Sequence, residues 1–214
     1  DPFGIRPMVL GRLQNDGGYI VASETCALDI IGAEFIREVK PGEILIFENG
    51  SFESIENNTR DFKVEKEPDY AHCIFELIYF SRPDSLDYSE YVYRVRKRIG
   101  AQLAQVEDVE ADIVMPVPDS SNYIALGFAK ESGIPFSMGL VRNHYVGRTF
   151  IKPDQKIRDE SVNQKFNPLK DFLVDKKIIL VDDSIVRGTT LRNLIRTIKE
   201  HGAKEVHLRI GSPM

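Results

Sequence analysis

From about residue 89 onward, short apolar runs alternate with segments of helical spacing. Ile178 to Val181 is apolar and mostly β-branched, the pattern of a strand buried on both faces. Asp182 and Asp183 follow at once, then the loop Ser184 to Gly188. Leu191, Leu194, Ile195 and Ile198 recur at helical spacing, with Thr189 or Thr190 as the expected cap. Asp112 to Met115 predicts a second strand, which runs through Pro116-Val117-Pro118-Asp119-Ser120-Ser121 into a helix carrying Ile124, Ala125 and Phe128. Phe136 to Val141 predicts a third strand and Glu205 to Ile210 a last one. Ser89 to Val106 predicts a helix with Val92, Val95, Ile99 and Leu103 on one face. Arg94, Arg96, Lys97 and Arg98 would form its solvated face. Strands alternating with helices imply an α/β fold with a parallel sheet from about residue 69.

The first 62 residues read differently. Met8 to Leu13 and Tyr19 to Ala22 are strand-like, separated by Asn15-Asp16-Gly17-Gly18, a hairpin-turn signal. Ser23-Glu24-Thr25 offers a cap for a short amphipathic helix through Leu28, Ile31, Phe35, Ile36 and Val39, stopped by Pro41-Gly42. Glu43 to Phe47, the turn Asn49-Gly50 and Phe52 to Ile55 predict a second hairpin. The crossing from 63 to 88 contains a charged stretch, a break at Pro68-Asp69 and an aromatic, apolar run from His72 to Ser85.

Composition narrows the class. With 42% hydrophobic and 29% charged residues, the 214-residue chain is that of a globular protein with ample core. A net charge of −5 argues against general nucleic-acid binding, and no apolar run is long enough to span a membrane. Two cysteines make no disulfide framework. The chain starts at Asp1 inside an ongoing pattern and stops soon after a strand, so it is expected to be an internal piece of a longer protein. The sequons at Asn49 and Asn57 would be chance in an intracellular enzyme. Gly-x-x-x-x-Gly-Lys is absent, which speaks against a P-loop ATPase.

The chemistry concentrates where strands end. In open α/β sheets ligands bind at the carboxyl ends of the strands. There Asp182 and Asp183 can accept hydrogen bonds from sugar hydroxyls and hold Mg²⁺. The backbone N–H groups from Ser184 to Thr190 and the following helix N-terminus suit a phosphate. A sugar phosphate with free hydroxyls uses both. From Val141 to Phe166 the chain is polar, with six cations (Arg142, Arg148, Lys152, Lys156, Arg158, Lys165) against three acids. A basic loop on an acidic protein suits an anionic ligand, and such a loop is expected to order when that ligand binds.

Val181-Asp182-Asp183-Ser184-Ile185-Val186-Arg187-Gly188-Thr189-Thr190 resembles the phosphoribosyl pyrophosphate (PRPP) motif of type I phosphoribosyltransferases, and most closely that of the glutamine PRPP amidotransferases. Asp1-Pro2-Phe3-Gly4-Ile5-Arg6-Pro7, with Ala22-Ser23-Glu24-Thr25-Cys26-Ala27-Leu28-Asp29, resembles the later part of their glutaminase domain, an N-terminal-nucleophile-hydrolase β-sandwich. The resemblance implies residues 1–68 as the end of that domain with a linker, and 69–214 as a truncated phosphoribosyltransferase domain. It implies an enzyme making phosphoribosylamine from PRPP, with glutamine or ammonia as co-substrate, Mg²⁺ as cofactor, a cytoplasmic location and a homo-oligomer. By the same resemblance Asp182 and Asp183 hold ribose and Mg²⁺, joined at the metal by Ser121. The stretch from Ser184 through Ile185, Val186, Arg187 and Gly188 to Thr189 and Thr190 holds the 5′-phosphate. Asp119, Ser120 and Ser121 face pyrophosphate, and Arg142 and Arg148 close over it. His144 stands where many members carry arginine, which leaves its role open. Some members ligate a [4Fe–4S] cluster through a cysteine at the Cys73 position; others have the cysteine without the cluster. The family's glutaminase nucleophile, an N-terminal cysteine, is not in this stretch, and Cys26 is read as a packed thiol. The alternatives are a salvage phosphoribosyltransferase, which lacks a glutaminase-like part, and a non-catalytic PRPP-sensing module.

Overall fold

A computed structural model of the chain describes residues 1–14, 17–56, 71–106, 108–144 and 165–213. Two compact units result, Asp1–Tyr93 and Arg94–Met214. The boundary expected near residue 68 lies outside the described residues, as do Arg148 and most of the basic loop.

In the first unit, β1 (Val9–Leu13) pairs antiparallel with β2 (Tyr19–Ala22) and, across a bulge at Leu10/Gly11, with β3 (Ala33–Glu38). The expected helix through Val39 is cut short. Helix α1 spans only Thr25–Ile31 and ends at Gly32, whose φ of 67° makes it a left-handed C-cap. Phe35 and Ile36 therefore lie on β3, where edge-to-edge pairing with β1 satisfies the backbone that a longer helix would have used. The second hairpin forms as expected: β4 (Glu43–Glu48) pairs with β5 (Ser51–Glu56). Asn49 and Gly50 both have positive φ, 47° and 75°, as a type I′ turn requires. Within the run from His72 to Ser85, Glu76–Phe80 forms one π-helical turn, with the Ser81 N–H donating to the Glu76 carbonyl at 3.0 Å. The two-residue strands β6 (Leu86–Asp87) and β7 (Glu90–Tyr91) follow.

Helix α2 (Val92–Gln105) starts three residues later than expected. Its cationic face is only partly solvated: Arg96 is 1% exposed. Spacing explains the correction, because Arg96 lies four residues from Val92 and four from Gly100, on the helix's inward row.

The second unit is built on a parallel sheet ordered β12-β11-β8: β8 (Ile113–Pro116) and β12 (Glu205–Ile210) flank β11 (Lys177–Asp182). Strand β11 alternates between two cores. Ile178 and Leu180 join Leu191, Leu194 and Ile198 of the helix after it, while Ile179 and Val181 join Ile124, Ala125 and Phe128 of α3 (Asn122–Ser132). All four strand residues are fully buried, each stabilising the sheet by about 1.5–3 kcal/mol. The carboxyl end of β11 is thus anchored from both faces. Phe136–Val141 does not form the expected strand. Only Phe136 bridges Val114 in parallel, and the chain then turns into β9 (Leu140–Arg142), antiparallel to β10 (Phe166–Pro168). The short helix α4 (Lys170–Leu173) leads into β11. Helix α5 spans Thr189–Glu200.

Candidate functional site

Three loops meet at the carboxyl ends of β8 and β11. The loop after β8 is tied to β11 by the Val117 N–H, which donates to the Val181 carbonyl at 2.9 Å. Ser121 then stands as N-cap of α3 and is fully buried, yet its hydroxyl makes no cap hydrogen bond. It donates instead to Asp182 Oδ1 at 3.0 Å. The same oxygen accepts the Asp183 N–H at 2.9 Å, and the Ser184 hydroxyl donates to Asp183 Oδ1 at 2.5 Å. Beyond β12, the Gly211 and Ser212 N–H groups donate to the carbonyls of Asp182 and Asp183, at 2.9 and 2.8 Å. The two acids are therefore held by backbone and side chain alike.

Their charges are crowded. Burial, then the neighbouring Asp183, push the Asp182 carboxyl up to about 7, while the Asp183 N–H, the Ser121 hydroxyl and Lys165 work against the rise. A cation placed between the carboxylates would relieve that repulsion. Two carboxylates and a hydroxyl suit Mg²⁺, which binds through one or two carboxylates, retained waters and phosphate oxygens of its substrate.

The loop after β11 runs from Ser184 to Gly188 as expected and differs at its cap. Ile185 and Val186 are exposed and leave the backbone open. Neither Thr189 nor Thr190 caps α5: the N-cap is Gly188, with φ 69°, and the helix begins at Thr189. Glycine adopts this left-handed conformation without the cost a Cβ would bring. Both threonine hydroxyls are consequently not spent on capping.

On the third side, the Arg142 guanidinium donates to Asp119 Oδ2 at 2.6 Å, pairing two residues singled out separately in the sequence. Ser120 lies between Asp119 and Ser121 and is half-buried. One group was counted in the sequence without being assigned a role. Lys165 is half-buried, and its ammonium is influenced by Arg142, Asp182, Asp119 and Asp183. Its position offered the signal: it is the last cation of the basic stretch, just before the apolar pattern resumes at Phe166.

The cysteines stand apart from this chemistry. Cys26 is buried, its thiol pushed up by that burial and turned toward Glu24 Oε2 at 3.7 Å, the state of a packed, protonated thiol. Cys73 is half-buried and free. Among the described residues no group of three or more His, Cys, Asp or Glu side chains could hold a metal ion. Cys73 is one thiolate where a [4Fe–4S] cluster needs four, so these residues alone do not fit the cluster. Nor is any helix among them long and apolar enough to cross a membrane.

Known proteins resemble the chain along its whole length. An amidophosphoribosyltransferase of Synechocystis sp. is 51% identical over the whole chain, and one of Archaeoglobus fulgidus 48%. The chain spans 42% and 45% of the lengths of these relatives. Among solved structures, the glutamine PRPP amidotransferase from B. subtilis complexed with ADP and GMP superposes with a TM-score of 0.86 at 44% identity, covering all of this chain and 45% of that one. A structure described as the allosteric regulatory enzyme of purine biosynthesis gives 0.85, also at 44% identity, with all of this chain and 44% of that one covered. The family model described as the phosphoribosyl transferase domain matches residues 92–210, more than half of the chain, and the chain belongs to that family.

Proposed function

We propose that this chain carries the PRPP site of a glutamine-dependent amidotransferase that makes 5-phosphoribosylamine, the nitrogen coming from glutamine through ammonia. The observation that carries the proposal is the bond from Ser121 to Asp182. It takes a hydroxyl away from capping a helix and joins the loop after β8 to the acids after β11, the two loops a sugar bearing phosphates at both ends would bridge. Support for the amidotransferase over a salvage transferase comes from residues 1–68, which match the curated amidophosphoribosyltransferases along with the rest. We read those residues as the end of a glutaminase domain and linker, and those from 69 on as the phosphoribosyltransferase domain. Cytoplasm and a homo-oligomeric state belong to the same proposal, as they did at the level of sequence.

Asp182 and Asp183 would hold the ribose hydroxyls and Mg²⁺, and Mg²⁺ when bound supplies positive charge to the phosphates. The backbone from Ser184 to Thr190, with the hydroxyls of Thr189 and Thr190, would take the 5′-phosphate. Asp119, Ser120 and Ser121 would line the pyrophosphate side, with Arg142 and Arg148 as its cations. Ammonia attacks the anomeric carbon with its lone pair; the bond from that carbon to pyrophosphate breaks and pyrophosphate leaves with the electron pair. The nitrogen then sheds a proton. Positive charge grows on the sugar as negative charge grows on the leaving group, so acids near the ribose and cations near the pyrophosphate both favour the transition state.

The test uses the full-length protein with PRPP, Mg²⁺ and ammonium, following pyrophosphate release. Asp182→Asn and Asp183→Asn are each expected to lower turnover on the order of 10²-fold while the fold persists. Near-normal turnover in both would sink the assignment.

A further inference from the structure

The turn from Arg82 to Ser85 is held from two sides. It closes on itself through the Ser85 N–H, which donates to the Arg82 carbonyl at 3.1 Å. On one side stands α1. Glu24 is its N-cap residue, with extended backbone, yet the side chain makes no cap hydrogen bond. Its Oε2 accepts the Arg82 N–H at 2.7 Å and the Ser85 hydroxyl at 2.8 Å instead. Beside it, the Thr25 hydroxyl accepts the Leu86 N–H at 2.8 Å. On the other side stands the start of α2. The Val92 and Tyr93 N–H groups donate to the carbonyls of Ser85 and Pro83, at 3.0 and 2.9 Å.

Thr25 and Ser85 are buried, so water does not readily replace a lost partner there, and a satisfied buried network favours one arrangement over its alternatives. Capping α1 would have used Glu24 locally; the chain spends it on a turn 58 to 61 residues away. Helix α2 begins in the first unit and continues in the second. Its later turns are secured separately, by a backbone approach at Gly100 to Ile124 of α3 so close that no Cβ fits. The start of α2 therefore depends on the turn that Glu24 holds, while α3 and the Ser121 loop before it do not.

Under the amidotransferase reading, nitrogen freed from glutamine has to reach the anomeric carbon as ammonia. Once protonated in water it has no lone pair with which to attack. Resting on that reading, we infer that Glu24 is a positioning residue for nitrogen transfer: by holding the turn Arg82–Ser85 it fixes the start of α2 and so keeps ammonia from escaping before it meets PRPP. A carboxylate that served only to stabilise the fold would affect glutamine-dependent and ammonium-dependent turnover alike.

The test uses the full-length protein with PRPP and Mg²⁺. Glutamate and pyrophosphate release are both followed with glutamine, and pyrophosphate release alone with ammonium. Wild type is expected to release glutamate and pyrophosphate in step. Glu24→Ala is expected to raise the ratio of glutamate to pyrophosphate on the order of 10-fold, with ammonium-dependent turnover changed at most a few-fold. Glu24→Gln keeps an acceptor for the Arg82 N–H and the Ser85 hydroxyl and should restore most of the coupling. Should Glu24→Ala not fold, Ser85→Ala removes one of the two bonds and carries the same test with a smaller rise. Wild type that releases no pyrophosphate with glutamine overturns the functional reading and this inference together. A coupled wild type with an unchanged ratio in Glu24→Ala or Ser85→Ala overturns the inference alone. So does ammonium-dependent turnover that falls as far as the glutamine-dependent one, or Glu24→Gln as uncoupled as Glu24→Ala.

Discussion

At the scale of single residues, the site is held together by one diverted hydroxyl and one crowded carboxyl. Serine at an N-cap ordinarily satisfies a helix N–H, which is worth about 1 kcal/mol. Ser121 forgoes that bond and donates to Asp182. Asp182, in turn, is a carboxyl whose charge burial and Asp183 both oppose. Active sites commonly store such cost in the ligand-free state. Asp182→Asn retains an acceptor for Ser121 and removes the repulsion. The ligand-free variant is expected to melt higher than wild type at pH 8, by about 1–2 kcal/mol of stability, while losing turnover. Equal or lower melting temperature for Asp182→Asn would show that the carboxyl pair carries no such strain. Little of this was visible in the residues alone. The acid pair and the glycine loop declared themselves by type and order, and Ser121 came through resemblance. Lys165 stayed one of six cations, because charge along a chain does not tell which side chain turns inward.

Elements were more legible where local and long-range demands agreed. Strand β11 has an apolar run with no competing pattern, and the Asn49-Gly50 hairpin has residues suited to positive φ at both turn positions. The helix expected to reach Val39 failed because Gly32 ends it, and a strand partner then claims the apolar residues beyond. The contact between α2 and α3 was illegible, since glycines there serve packing rather than turns. A Cβ on Gly127 would lie 2.0 Å from the Lys97 carbonyl oxygen, and one on Gly100 would lie 1.8 Å from that of Ile124. The obstacle in both cases is backbone, which cannot rotate aside. Gly127→Ala is therefore expected to destabilise the second unit by about 3 kcal/mol or more, despite alanine's better helix propensity of about 1 kcal/mol. Leu126→Ala, at a residue exposed on the same helix, should cost much less. Chemical denaturation of both variants checks the order; a Gly127→Ala variant as stable as Leu126→Ala would mean that the helices separate freely.

Across the whole molecule, stability against pH is set by carboxyls shifted in opposite directions. The Arg37 guanidinium, with the Ser54 hydroxyl and the Lys40 N–H, holds Glu43 down to about 2. Its contribution is full above the ordinary glutamate value and is lost as pH falls toward 2. Asp87 behaves in the opposite sense. It is fully buried, and neither carboxylate oxygen has a hydrogen-bond partner among the described residues. Burial first, then Glu24, Glu76 and Glu38, push it up to about 6, the nearby Ser81 hydroxyl offsetting part of the rise. Between the ordinary aspartate value and pH 6 the folded chain holds a proton that the unfolded chain releases, so stability falls as pH rises through that window and levels off above it. Asp182 adds to the same fall, up to about pH 7, when no cation is bound. The ligand-free protein is thus expected to be more stable near pH 5 than at pH 8. Asp87→Asn copies the neutral form and should remove about 1.4 kcal/mol of that difference, its stabilising effect rising from about 1.6 kcal/mol at pH 5 to about 3 kcal/mol above pH 7. Melting temperatures of wild type and Asp87→Asn at pH 5, 6, 7 and 8 test this directly. Curves that run parallel across the series would mean that Asp87 is ionised at little cost where it sits.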